Sequence, residues 1–163
     1  MIPHRWALAL VLGLAANATH LHGQTTGPDT TQQQTGARSG AKVYPVGGIR
    51  YGAPLGASLY GGVILARDNP AGFAGPALAA EVGQDGARAS LGVSSVTLAG
   101  THRAYLSVIR TWDDHGDVRS GQVYVGPEVA VGLFLGITLG YYWRISDGGG
   151  PARLVSIGSV IGT

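Results

Sequence analysis

Between Phe134 and Ser146 the large apolar side chains fall on every second residue. Leu135, Ile137, Leu139, Tyr141, Trp143 and Ile145 alternate with Phe134, Gly136, Thr138, Gly140, Tyr142, Arg144 and Ser146. A period of two marks a strand with two unlike faces. The stretch before it repeats the pattern: Val123, Val125, Pro127, Val129 and Val131 oppose Gln122, Tyr124, Gly126, Glu128 and Ala130. A helical reading would draw on Gly132, Gly136 and Gly140, a small-xxx-small spacing that lets membrane helices pack closely. A spacing of four is also even, however, so the same glycines share one face of a strand. Val129 to Trp143 is fifteen residues, short of the ~20 that a spanning helix requires. Two strands joined by a tight turn near Gly132 to Phe134 account for the whole segment.

Turn signals divide the rest of the chain into pieces of strand length. They are Asp68-Asn69-Pro70, Gln84-Asp85-Gly86, Ala99-Gly100, Asp113 to Asp117 and Asp147 to Pro151. The pieces run from Leu55 to Ala66, Ala74 to Val82, Ala87 to Thr97, Arg103 to Trp112, Gln122 to Val131, Phe134 to Ile145 and Ala152 to Ile161. A fainter piece, Val43 to Tyr51, contains Pro45, which suits an edge or a strand end. Most show the same two characters. Leu55, Ala57, Leu59, Val63 and Leu65 oppose Gly56, Ser58, Tyr60 and Gly62; Leu78, Ala80 and Val82 oppose Ala77, Ala79 and Glu81; Ala87, Ala89, Leu91 and Val93 oppose Arg88, Ser90, Gly92 and Ser94.

Composition decides which face is inside. The chain of 163 residues carries 28 Gly, and only 12% of its residues are charged, about half the ~25% usual for a soluble domain. The second face is mostly Gly, Ala, Ser and Thr with isolated charges. That is a poor surface for water and a good lining for a narrow closed barrel. The fold class predicted is all-β, an antiparallel up-and-down transmembrane barrel of about eight strands, with its apolar face toward lipid. Segments of about ten residues suit the ~9–11 of a tilted spanning strand. Trp112, Tyr141 and Trp143 lie near strand ends, where membrane-interface aromatics are found.

Ahead of the barrel, Met1 to Arg5 and the apolar Trp6 to Ala16 read as a signal peptide over residues 1–18. Cleavage is expected after Ala18, with Gly23 as the second choice. Residues 19–42 include QTTGPDTTQQQTGARSGA, too polar to offset the entropy of ordering, and read as a disordered spacer. The barrel domain then covers residues 43–163. Absence of Cys excludes disulfides, thiolate metal sites and an acylated cysteine anchor.

On the small-residue face the expected lumen network comprises Glu81, Arg88, Glu128 and Arg144 with Tyr60, Tyr124 and Tyr142. Tyr105, Gln122 and Thr138 share that face, and Arg103 sits at one rim. Enclosed charges must be paired or hydrated, because an isolated buried ion costs several kcal/mol. A side-chain plug is therefore expected in preference to an open pore, an eight-stranded barrel being just wide enough for its own side chains.

Export signal, polar spacer, two-faced strands, Gly-rich lining and a last strand at the chain end together resemble the small bacterial outer-membrane β-barrels of OmpA-like or OmpX-like architecture. The resemblance is one of pattern and covers Val43 to Thr163. It implies location in the cell outer membrane, lipid as the principal partner, insertion by the outer-membrane assembly machinery and a structural or surface-interaction role. Barrels of that family usually close on an aromatic residue, whereas VSIGSVIGT ends in Gly162 and Thr163.

Other chemistry is sparse. G-x-S-x-G, P-loop, G-x-G-x-x-G and H-E-x-x-H motifs are missing, so no catalytic residue, metal site or cofactor is assigned. A formal charge of +2 gives no nucleic-acid signature, and no obligate protein partner is evident. His20 and His22 lie in the leader region, and Asp113, Asp114 and Asp117 lack the spacing of a calcium loop. Two alternatives are retained. One is a secreted or periplasmic soluble barrel or sandwich holding a small apolar ligand, with its apolar face inside. The other is an outer-membrane lipid-modifying enzyme using Ser107 with His102.

Overall fold

The computed structural model describes residues 40–69 and 72–162. The expected signal peptide and all but the last three residues of the spacer lie outside the described residues. Eight strands follow in order: β1 (Lys42–Gly52), β2 (Gly56–Asn69), β3 (Gly72–Gly83), β4 (Gly86–Thr97), β5 (Gly100–Thr111), β6 (Val123–Gly132), β7 (Leu135–Arg144) and β8 (Arg153–Gly162). Each pairs antiparallel with its neighbour in sequence, and β8 returns to β1, closing the barrel. The tight turn expected after Gly132 consists of Leu133 and Phe134.

Register sets the shape. Tyr44, Ile64, Ala77, Gly92, Tyr105, Glu128, Gly140 and Ser156 form one row of paired residues around the wall. The β1–β8 register, Gly52 opposite Gly158, brings Ser156 level with residue 54, ten residues beyond Tyr44. A closed sheet of eight strands with this stagger must tilt its strands, by roughly 35–45°. The stagger also leaves Lys42 to Gly47 beyond the part of β1 that pairs with β8. Pro45 falls there, so its missing N–H removes no bond from that ladder. Pro76 and Pro127 sit within fully flanked strands, and ladder pairing lapses beside both, between Ile64–Ala77 and Arg67–Ala74 and between Val125–Trp143 and Glu128–Gly140.

The two faces separate as the alternation requires. Outward stand Leu135, Ile137, Leu139 and Val129, at 66%, 65%, 50% and 50% exposure. Many other large apolar residues join them, including Leu59, Leu78, Leu91, Leu106, Val155 and Ile157. Among the described strand residues with described side chains, charge appears on this outer face only at Arg110 and Arg153, each beside a strand end.

Inward side chains fill the tube in three tiers. At the end bearing the longer connections, 112–122 and 145–152, Leu55, Ile109, Val118, Tyr124 and Tyr142 pack together with Leu154. Val46, Ile64, Ala66, Ala77 and Tyr105 form a second cluster toward the end with two-residue turns, where Tyr44 stacks on Phe73 at 4.1 Å. Polar residues occupy the middle. Leu55 departs from the alternation: expected outside as the first residue of a strand, it lies in the turn and is 1% exposed. Gly56, the first residue of β2, takes a left-handed conformation at φ 67, so the strand's alternation does not extend back to Leu55. Leu55 thereby plugs the mouth, a burial worth roughly 1.5–3 kcal/mol.

Candidate functional site

Four charged side chains meet in the middle of the lumen, one from each of four strands. Arg50 on β1 is 2.9 Å from Glu81 of β3 and 2.8 Å from Glu128 of β6. Arg88 on β4 lies 3.4 Å from Glu81 and makes a closer ion pair with Glu128. Each arginine thus touches both glutamates. The remaining carboxylate valences are also met: Ser58 donates to Glu81 Oε1 at 2.6 Å, and Tyr142 donates to Glu128 Oε2 at 2.6 Å. All four charged residues are at most 9% exposed.

The geometry follows from the wall. Glu81 and Arg88 are direct cross-strand partners, as are Tyr60 and Glu81 on the next ladder. Small neighbours leave the space these long side chains need. A Cβ on Gly140 would collide with the ring of Tyr142, so the bare backbone of β7 lets the tyrosine lie flat toward Glu128. Gly48 on β1 makes the same allowance for Tyr60, whose Cε1 comes within 2.9 Å of where a side chain would start. Four unit charges in low dielectric are tolerable here because they sum to zero and every carboxylate oxygen is in an ion pair or accepts a hydrogen bond.

Of the residues expected in the network, Glu81, Arg88, Glu128 and Tyr142 converge. Tyr124 is buried in the apolar tier at the longer-loop end and donates to Gln122 and, at 3.4 Å, to the Pro151 carbonyl. Tyr60 lies on the other side of the quartet and accepts from Arg103 Nη2 at 3.3 Å, with the guanidinium 5.1 Å from its ring centre. Arg144 is not part of the network: as the last residue of β7 it sits at the mouth and donates to the Gly150 carbonyl at 2.7 Å. Arg50 completes the quartet in its place. It belongs to the faint first segment, to which no faces were assigned. A signal was present in KVYPVGGIRYG: with Val43, Ile49 and Tyr51 outside, period two directs Arg50 inward.

Thr138 is buried and donates to the Gly158 carbonyl at 3.3 Å. Tyr141 and Trp143 pack edge to face at 5.0 Å on the outside of β7, and Trp112 donates its indole N–H to the Gln84 carbonyl at 2.6 Å. All three aromatics therefore gather near the longer-loop end. Ser107 and His102, the one pair considered for hydrolysis, occupy opposite faces of β5. Ser107 is fully buried and hydrogen-bonds Ser90 at 2.8 Å, while His102 is exposed.

In the connection 112–122, Asp114 is held by the Ser120 backbone N–H at 2.7 Å and by Arg119 at 3.1 Å. The amide of Ser120 first, and Arg119 second, hold its carboxyl below the usual carboxylate range. His115 Nδ1 is 2.9 Å from Asp85 of the β3–β4 turn, tying the two loops together. Among the described residues no cluster of His, Asp and Glu has the makings of a metal site. No protein-family model, curated protein or solved structure matches this chain.

Proposed function

We propose that the chain is an integral outer-membrane β-barrel whose lumen is plugged by its own side chains and which serves an envelope-structural or surface-interaction role. One observation carries the reading: the bulky apolar residues stand outside while the Arg50, Arg88, Glu81 and Glu128 quartet is buried and neutral inside. An apolar sheath of this extent would not suit a protein immersed in water, whose exposed patches rarely exceed a few hundred Å². From His102 to Arg110 the outer face of β5 climbs roughly 27 Å along the strand, or about 20 Å along the axis at a tilt near 40°. That interval approaches the ~25 Å apolar band of outer-membrane barrels. Tyr141, Trp143 and Trp112 border it at one end, as interface aromatics do.

The lumen favours a structural role over transport. Leu55, Val118 and Tyr124 fill one mouth and the ion quartet closes the middle, leaving cavities of about 20 and 10 Å³. Such filling fits a side-chain plug better than a solute channel.

Membrane partition with heat-modifiable gel mobility tests the proposal. The chain is expected in the detergent-extracted membrane fraction, migrating differently before and after boiling. Recovery in buffer without detergent would overturn it and favour the soluble ligand-binding alternative.

A further inference from the structure

One interior charge is left over. Arg50 and Arg88 balance Glu81 and Glu128, and all four carboxylate oxygens are engaged within that quartet or by Ser58 and Tyr142. Arg103 is a fifth lumen charge. Among the described residues no carboxylate stands within ion-pair distance of it. The Tyr60 hydroxyl, a neutral group, is its side-chain acceptor, and its Nε is buried with no hydrogen-bond partner. Arg88 Nε and Arg50 Nη2 likewise lack a hydrogen bond, but each of those guanidiniums already has two carboxylates. Arg103 is part-buried, and a guanidinium does not deprotonate to escape burial, so its charge is met by water or by a bound ion.

The surroundings are built for a small acceptor. Ser94, the cross-strand neighbour of Arg103 on β4, is 2% exposed, and its Oγ has no partner. Tyr60 spends an oxygen lone pair on Arg103, which leaves its own O–H free to donate. A cavity of about 20 Å³ borders Arg103, Tyr60, Ser90 and Thr138 and is also lined by Arg50, Glu81 and Glu128, whose carboxylates are already engaged within the quartet. A second, of about 10 Å³, shares Arg103, Ala130 and Val160 with it and reaches the Gly132 and Leu133 turn. Volumes of this size hold one or two water-sized particles and exclude a phosphate ester or a sugar.

We propose that Arg103, with the hydroxyls of Tyr60 and Ser94, forms a binding site for a single small inorganic anion of halide size, entered from the end of the barrel with two-residue turns. The anion neutralises the odd guanidinium and receives the hydrogen bonds that Arg103 Nε and Ser94 Oγ lack. The site lies inside the wall, so it stands whether lipid or water surrounds the barrel.

Bromide serves as the probe, on the full folded chain in detergent. Crystals grown in bromide are expected to show one anomalous peak within hydrogen-bond distance of Arg103. At fixed ionic strength, replacing gluconate by bromide is expected to raise Tm, and Arg103→Gln to abolish that rise while Arg153→Gln, on the outer face, preserves it. Should Arg103→Gln fail to fold, the wild-type anion series and the crystallographic peak decide alone. A Tm indifferent to the anion, with no lumen peak, would mean that water alone solvates Arg103 and would overturn the proposal. Bromide bound only at exterior arginines, an adventitious ion only, would overturn it equally.

Discussion

Tyr142 reaches Glu128 across the lumen face of β7, donating its hydroxyl to Oε2 over 2.6 Å through space that Gly140 leaves empty. The bond is charge-assisted, and its loss leaves a buried carboxylate oxygen short of a donor. Tyr142→Phe is expected to lower stability by about 1.5–3 kcal/mol. Gly140→Ala, which touches neither group chemically, should destabilise by displacing the ring. Equilibrium unfolding in detergent reads both, and a Gly140→Ala barrel as stable as the parent would refute the packing argument.

Removal of one charge from the quartet differs from removal of two. Glu128→Leu alone leaves Arg50 and Arg88 sharing the single carboxylate of Glu81, one positive charge in excess, and a buried pair broken on one side costs about 3–5 kcal/mol. Combining Glu128→Leu with Arg88→Met restores neutrality with Arg50 and Glu81 still paired at 2.9 Å. The double variant is expected to unfold at a higher denaturant concentration than Glu128→Leu. Additive losses in a double-mutant cycle would show that the charges do not act as a unit.

Leu106, 60% exposed, lies on β5 between the outward His102 and Arg110. If the apolar face meets lipid as proposed, Leu106→Arg, near the middle of the band, should destabilise by roughly 2–4 kcal/mol in bilayers. In water the same exposed substitution costs little. Refolding into vesicles, monitored by gel mobility, distinguishes the two, and an indifferent barrel counts against lipid contact.

Acid should loosen the connection 112–122 late. The carboxyl of Asp114 is held below its ordinary value chiefly by the Ser120 amide and then by Arg119. A depressed folded pKa contributes stability above the unfolded value, lost as pH falls through the folded one. The Ser120 amide resonance is therefore expected to move only below about pH 3.9, the ordinary carboxylate value, and Asp114→Asn to abolish the transition. A midpoint above that value would contradict the hydrogen-bonded geometry.

Arg50 and Arg144 mark the boundary between what could be read along the chain and what could not. Period two needs only the order of residues, because successive Cβ atoms point to opposite sides of a sheet whatever it pairs with. Strand number, the two faces and the inward placement of Glu81, Arg88 and Glu128 were legible on that ground. The β1 segment was faint because Pro45 and two adjacent glycines dilute its alternation. Leu55 was misread because a glycine with positive φ interrupts the alternation at the turn.

Left to itself, the sequence determines local character: which residues share a face, where the chain turns, and that greasy and ionic side chains must part company. Which charges meet is a property of the closed wall. The ten-residue stagger lifts Arg50 of the first strand to the level of Glu81 and Glu128 and leaves Arg144 at the mouth. Stagger is a sum of pairings over the whole circumference, so no single strand encodes it, and only closure of the barrel turns scattered charges into a neutral quartet.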